Sequence, residues 1–142
     1  MSLFITGTDT GVGKTHIGAR LLRLLRASGT LCAGMKPICC GDRRDAEMLL
    51  AAGGDGLTID DVNSVWLKTP AAPIVGSLME KAPIDVEKIL AGFQTLQRRV
   101  EHVIVEGADS LGLLRERFGS GDEAASPGGR TESGWVVLIT RP

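Results

Sequence analysis

The sequence predicts an α/β fold, a mainly parallel sheet with helices on both faces, and three observations predict it. Short apolar, β-branched runs alternate with stretches of helical periodicity. A glycine-rich turn joins the first such run to the first helix. Charged or polar residues recur where the apolar runs end, as expected at the carboxyl edge of a parallel sheet. Parallel neighbours need crossover connections, which are right-handed, so intervening helices must cover both faces.

Leu3-Phe4-Ile5-Thr6 is the first strand, ending at Gly7. Lys14 to Ala27 is the first helix, with Ile17, Leu21, Leu24, Leu25 and Ser28 at helical spacing and Gly29 as its stop. Leu31 to Met35 gives a second strand cut short by Pro37, and Asp45 to Ala52 a short helix closed by Gly53-Gly54. Residues 55 to 84 are weakly periodic and predict an irregular crossover with one short helix. Asp85 is the N-cap of a further helix running to about Glu101, with Val86, Ile89, Leu90, Phe93, Leu96 and Val100 on its apolar face. His102 should then meet that helix's carboxyl end. Val103-Ile104-Val105-Glu106, stopped by Gly107, is a buried parallel strand.

These elements divide the chain into a core over residues 1–108, an irregular and mobile segment over 109–134 and a final strand over 135–142. The segment around Gly119 to Gly134 is polar, glycine-rich and aperiodic. The chain ends before a helix could follow Trp135 to Thr140, so the fold is expected to be C-terminally truncated.

The 142 residues, 43% of them hydrophobic, suffice for one domain with its own core. A formal charge of −1 offers no basic field for nucleic acid or an acidic membrane, and small-molecule chemistry suits it better. The three cysteines, Cys32, Cys39 and Cys40, contain no C-x-x-C pair, which suggests neither a disulfide framework nor a zinc site. No run of about 18 apolar residues and no signal peptide is present, so a cytoplasmic location is expected.

The chemistry lies in Gly7-Thr8-Asp9-Thr10-Gly11-Val12-Gly13-Lys14-Thr15. A glycine-rich turn between strand and helix aims backbone N–H groups at phosphate oxygens, and the helix N-terminus adds partial positive charge. Gly-Lys-Thr completes a P-loop, and the fold is P-loop NTPase-like. Lys14 should reach the β and γ phosphates of ATP, and the Thr15 hydroxyl should coordinate Mg²⁺. Gly7 and Gly13 enclose five residues where four are usual, so the loop is a variant. Thr6-Gly7, Lys36 and Glu106 all fall at carboxyl ends of strands and should meet at one rim. Glu106 becomes a metal candidate there, because Mg²⁺ favours one or two carboxylates plus phosphates. Asp45 is a helix cap or a second metal ligand, and Lys36 a solvated lysine or part of the site. His16, Trp66 and Trp135 read as solvated or packing groups.

Phe4 to Thr15, Lys36-Pro37-Ile38 and Val103-Ile104-Val105-Glu106-Gly107-Ala108 are similar, in order and spacing, to the three signature segments of dethiobiotin synthetases. The resemblance covers residues 1 to about 108. It implies an ATP-dependent ligase of biotin biosynthesis that requires Mg²⁺ and takes ATP, CO₂ and diaminopelargonate. It also implies a homodimer, with neither nucleic acid nor membrane as partner. Carried over by position, Lys14 and Lys36 are catalytic, neutralising the transferring phosphoryl group and a substrate carbamate. Thr10, Gly11, Val12, Gly13, Lys14 and Thr15 bind ATP, with Asp9 beside them. Thr15, Asp45 and Glu106 hold the metal, and Lys36 and Cys40 face the substrate. Two departures go with it. Cys40 replaces a small hydroxyl residue, and Asp109-Ser110-Leu111-Gly112 replaces a pair of glycines and an aromatic residue. An active synthetase, one inactivated by truncation, a cobyrinate-type or partition-type ATPase and a non-catalytic nucleotide-binding fragment therefore all stay open.

Overall fold

A computed structural model describes residues 1–7, 11–107, 130–131 and 134–139, the last two stretches by their backbone only. Strand β1 (Ser2–Gly7) leads to helix α1 (Lys14–Ala27) and then β2 (Cys32–Met35). After β3 (Ile38–Cys40) come α2 (Arg44–Ala52), α3 (Ile59–Val62) and β4 (Val65–Leu67). Helices α4 (Pro73–Glu80) and α5 (Val86–Arg99) precede β5 (His102–Glu106), β6 (Arg130–Thr131) and β7 (Gly134–Ile139).

The main sheet runs β2-β5-β1-β7-β6. β1 is parallel to β5 and to β7, and β2 to β5; among the described residues only β6 is antiparallel, against β7. The fold is thus the mainly parallel, P-loop NTPase-like α/β fold expected. Two cores sandwich the sheet. On one face Leu22 of α1 and Leu49 of α2 pack with Ile5 and Ile104; on the other, Ile89, Phe93 and Leu96 of α5 pack with Met35, Val103 and Val105. The alternation of Val103, Ile104 and Val105 between the two clusters is the strand's period of two, buried on both sides.

The expected face of α1 is rotated. Its buried residues are Lys14, Thr15, Gly18, Ala19 and Leu22, while Ile17 and Leu24 are exposed. Lys14 and Thr15 at its start are buried, and the small residues Gly18 and Ala19 one turn further along let the helix lie close to the sheet. Gly34 in β2 shows how close: a Cβ there would stand 2.8 Å from Leu49 Cβ and 2.9 Å from Leu22 Cδ1.

Residues 55–84 hold more order than their periodicity predicts. A second, two-stranded parallel sheet joins β3 to β4, and two helices, α3 and α4, flank β4. Strands of three residues carry too few alternations to be read. Asp85 caps α5 as expected, accepting from the Lys88 amide at 2.9 Å. The helix stops at Arg99, however, and His102 opens β5 opposite Cys32 instead of capping the helix.

Candidate functional site

The carboxyl ends of β1, β2 and β5 meet as the sheet order requires, with β5 between the other two. The phosphate loop leaves β1 at Gly7; Thr8, Asp9 and Thr10 lie outside the described residues. Gly11 and Gly13 have φ of +73° and +96°, left-handed values that favour glycine. Gly13 is the N-cap of α1, its carbonyl accepting from Ile17 N at 3.0 Å. Among the described residues no side chain caps this end, and a helix N-terminus of this kind favours an anion.

Lys14, Thr15, Lys36 and Glu106 are all buried, Glu106 with 1% of its surface exposed. Thr15 Oγ1 donates to Glu106 Oε1 at 2.9 Å, and Lys36 Nζ donates to the same oxygen at 2.6 Å. Lys36 Nζ also lies 3.1 Å from Asp45 Oδ2, on a side chain half-exposed at the start of α2. Burial works against the Lys36 charge, but Glu106 and Asp45 together outweigh it and raise its pKa. One ammonium therefore binds two carboxylates delivered by separate crossovers.

Glu106 Oε2 is buried and has no partner among the described residues. A buried carboxylate oxygen left bare is costly, and a cation is the natural group to satisfy it. The donor set suits Mg²⁺: a hydroxyl and one or two carboxylates are hard oxygens, and this ion keeps phosphate and water for the rest of its shell. Asp45 reaches the cluster through Lys36.

A cavity of about 740 Å³ opens onto these residues. Gly11, Gly13, Lys14 and Thr15 line it together with Lys36, Asp45, Glu106, Cys40 and the Pro70 to Pro73 turn. The structure thus brings together Gly11, Gly13, Lys14, Thr15, Lys36, Cys40, Asp45 and Glu106. Val12 is described but does not line the cavity, and Thr10 lies outside the described residues. Desolvation raises the pKa of both neighbouring thiols, that of Cys39 to about 11, against the pull of Lys36. Neither is an activated nucleophile.

Sequence reasoning missed Asn63 and Arg43. Asn63 is 2% exposed and its amide donates to the carbonyls of Lys36 and Val65, each at 2.8 Å. Arg43 Nε donates to Asn63 Oδ1 at 3.0 Å. Sequence pattern flags neither residue, because most of their partners lie 16 to 27 residues away.

A buried lysine and threonine at a glycine-rich strand-to-helix turn, with a carboxylate on the neighbouring strand, define a P-loop nucleotide-binding protein. The chain belongs to the AAA domain family, whose model matches residues 1–114. Its N-terminal part is similar to ATP-dependent dethiobiotin synthetases. That of Akkermansia muciniphila is 41% identical over 106 residues, 75% of this chain and 50% of the relative. Those of Methanococcus vannielii and Aromatoleum aromaticum are 36% and 35% identical over 78% and 88% of this chain, and 53% and 60% of their own lengths. The chain therefore spans about half the length of the relatives it matches. Among the described residues no helix is long and apolar enough to cross a membrane.

Proposed function

We propose that this chain carries the phosphoryl-transfer centre of an ATP-dependent dethiobiotin synthetase, acting on ATP, CO₂ and diaminopelargonate. The observation that carries the reading is the meeting of Lys36, Thr15 and Glu106 in one buried cluster facing the cavity. A lysine at that place has a use in carbamate phosphorylation that simple nucleotide binding does not require.

In this reading one substrate amine captures CO₂ as a carbamate, and a carbamate oxygen attacks the γ-phosphorus while the bond to ADP breaks. The second amine then attacks the carbamate carbon, and inorganic phosphate leaves as the ureido ring closes. The loop amides and Lys14 bind the nucleotide phosphates and stabilise charge on the transferring group. Lys36 turns from its carboxylates towards the carbamate oxygens and holds them in line. Thr15, Glu106 and Asp45 would hold Mg²⁺, which supplies positive charge to the phosphate oxygens when bound. The apolar wall of Ile38, Cys40 and the Pro70 to Pro73 turn accommodates the aliphatic part of the substrate and keeps water away from the mixed anhydride. A homodimer in the cytoplasm, where thiols stay reduced and ATP is supplied, completes the proposal.

The test is ADP release from Mg-ATP by the purified chain, with and without diaminopelargonate and bicarbonate. Release that needs both, and that Lys14→Ala abolishes, supports the synthetase. Mg-ATP raising the melting temperature without turnover would overturn it in favour of a nucleotide-binding fragment.

A further inference from the structure

Lys36 is delivered to the site by the short link between β2 and β3, and that link is held from behind. Lys36 N donates to Val62 O at 2.8 Å and Val65 N to Pro37 O at 3.0 Å. Asn63 occupies the gap between them, its two amide hydrogens spent on Lys36 O and Val65 O and a longer contact of 3.4 Å made to Pro37 O. Its carbonyl oxygen is held by Arg43, whose guanidinium also donates to the carbonyls of Ile59 and Asn63, both at 3.3 Å, and to Asp60 Oδ1 at 2.8 Å. The guanidinium lies 5.2 Å from the centre of the Trp66 ring, and Trp66 Nε1 donates to Gly41 O at 2.8 Å. Arg43 is in turn the N-cap residue of α2, its carbonyl accepting from Glu47 N at 2.9 Å, and Asp45 is the second residue of that helix.

We propose that Asn63 and Arg43 are positioning residues that set the Lys36 ammonium and the Asp45 carboxylate against Glu106. The proposal rests on the synthetase reading only for the claim that this placement limits turnover; the placement itself stands on the hydrogen bonds. One asparagine fixes the backbone that carries the cation, one arginine fixes the helix start that carries its outer anion, and the two are bonded to each other. An error of about an ångström at such a lysine is enough to cost on the order of 100-fold in rate.

The test uses Asn63→Ala and Arg43→Met, the second deciding the matter should the first fail to fold. In ¹⁵N-labelled protein, the buried and hydrogen-bonded Lys36 Nζ–H group should give a slowly exchanging signal, assigned by its loss in Lys36→Ala. The expected result is loss of this signal in a variant that still melts cooperatively. With it should come a fall of tenfold or more in kcat, a KM for Mg-ATP changed less than twofold, and no further fall when the variant is combined with Lys36→Ala. A merely structural role would lower the melting temperature, leave the Lys36 signal in the folded fraction and add its effect to that of Lys36→Ala; that result overturns the proposal. Should the unaltered chain show no turnover, the synthetase reading fails, and the Lys36 signal still decides the placement.

Discussion

Glu106 Oε1 receives both Thr15 and Lys36, so the charge of this one residue holds two others. Removing it leaves a buried ammonium with only the half-exposed Asp45. Glu106→Gln should therefore lower stability by about 3 kcal/mol in urea denaturation, since breaking one partner of a buried pair is expensive. Lys36→Met added to Glu106→Gln should recover most of that loss; equal destabilisation in both variants would mean that the pair is not what the site depends on. Cys39 gives a second test. Burial pushes its folded pKa up to about 11 from the ordinary thiol value of 9.0, so the unfolded chain loses its proton first. This contribution to stability is therefore complete below pH 9 and is lost as pH rises towards 11. Melting curves between these values should fall less steeply in Cys39→Ala. The sequence had marked Lys14, Thr15, Lys36 and Glu106, because a loop motif and strand ends are local patterns. Asn63 was invisible, because its role is made by backbone carbonyls 27 and 26 residues away.

Elements that complete a turn within themselves were legible, and those that depend on distant neighbours were not. The caps of α1 and α5 could be read from Gly29 and Asp85, whereas β3 and β4 exist only because each pairs with the other. The four-residue α3 is held by a reciprocal cap: Asp61 N donates to Thr58 Oγ1 and Thr58 N to Asp61 Oδ2. Bonds from Thr58 lower the Asp61 pKa, with Arg99 assisting, so this support is present above the usual value of 3.8 and fades as pH falls through the lowered one. Thr58→Ala should cost about 1 kcal/mol at neutral pH. Because α3 leads directly into Asn63, the variant should also weaken the Lys36 Nζ–H signal; an unchanged signal would separate the cap from the site.

Across the whole molecule, β1 is central, with β5 on one side and β7 on the other in a six-residue register. A chain ending at residue 129 would expose the β1 edge next to the phosphate loop. Such a chain should melt at a lower temperature and self-associate in light scattering, and Mg-ATP should protect it less than it protects the full chain. Equal melting and equal protection would show that β7 contributes nothing to the loop. The phase of α1 belongs to this scale as well. Its exposed Ile17 and Leu24 misled the helical pattern, because the requirement to aim Lys14 and Thr15 at the rim overrode the apolar face.

The bond from Thr15 to Glu106 spans 91 positions and that from Lys36 to Glu106 spans 70. A chain growing from a ribosome would thus display its glycine loop long before the carboxylate that joins Thr15 and Lys36 had been made. Only when β5 slides between its two neighbours does the carboxylate arrive, and until then the Lys36 ammonium has Asp45 alone to oppose it. The buried cluster is therefore completed late, when β5 takes its place between β1 and β2.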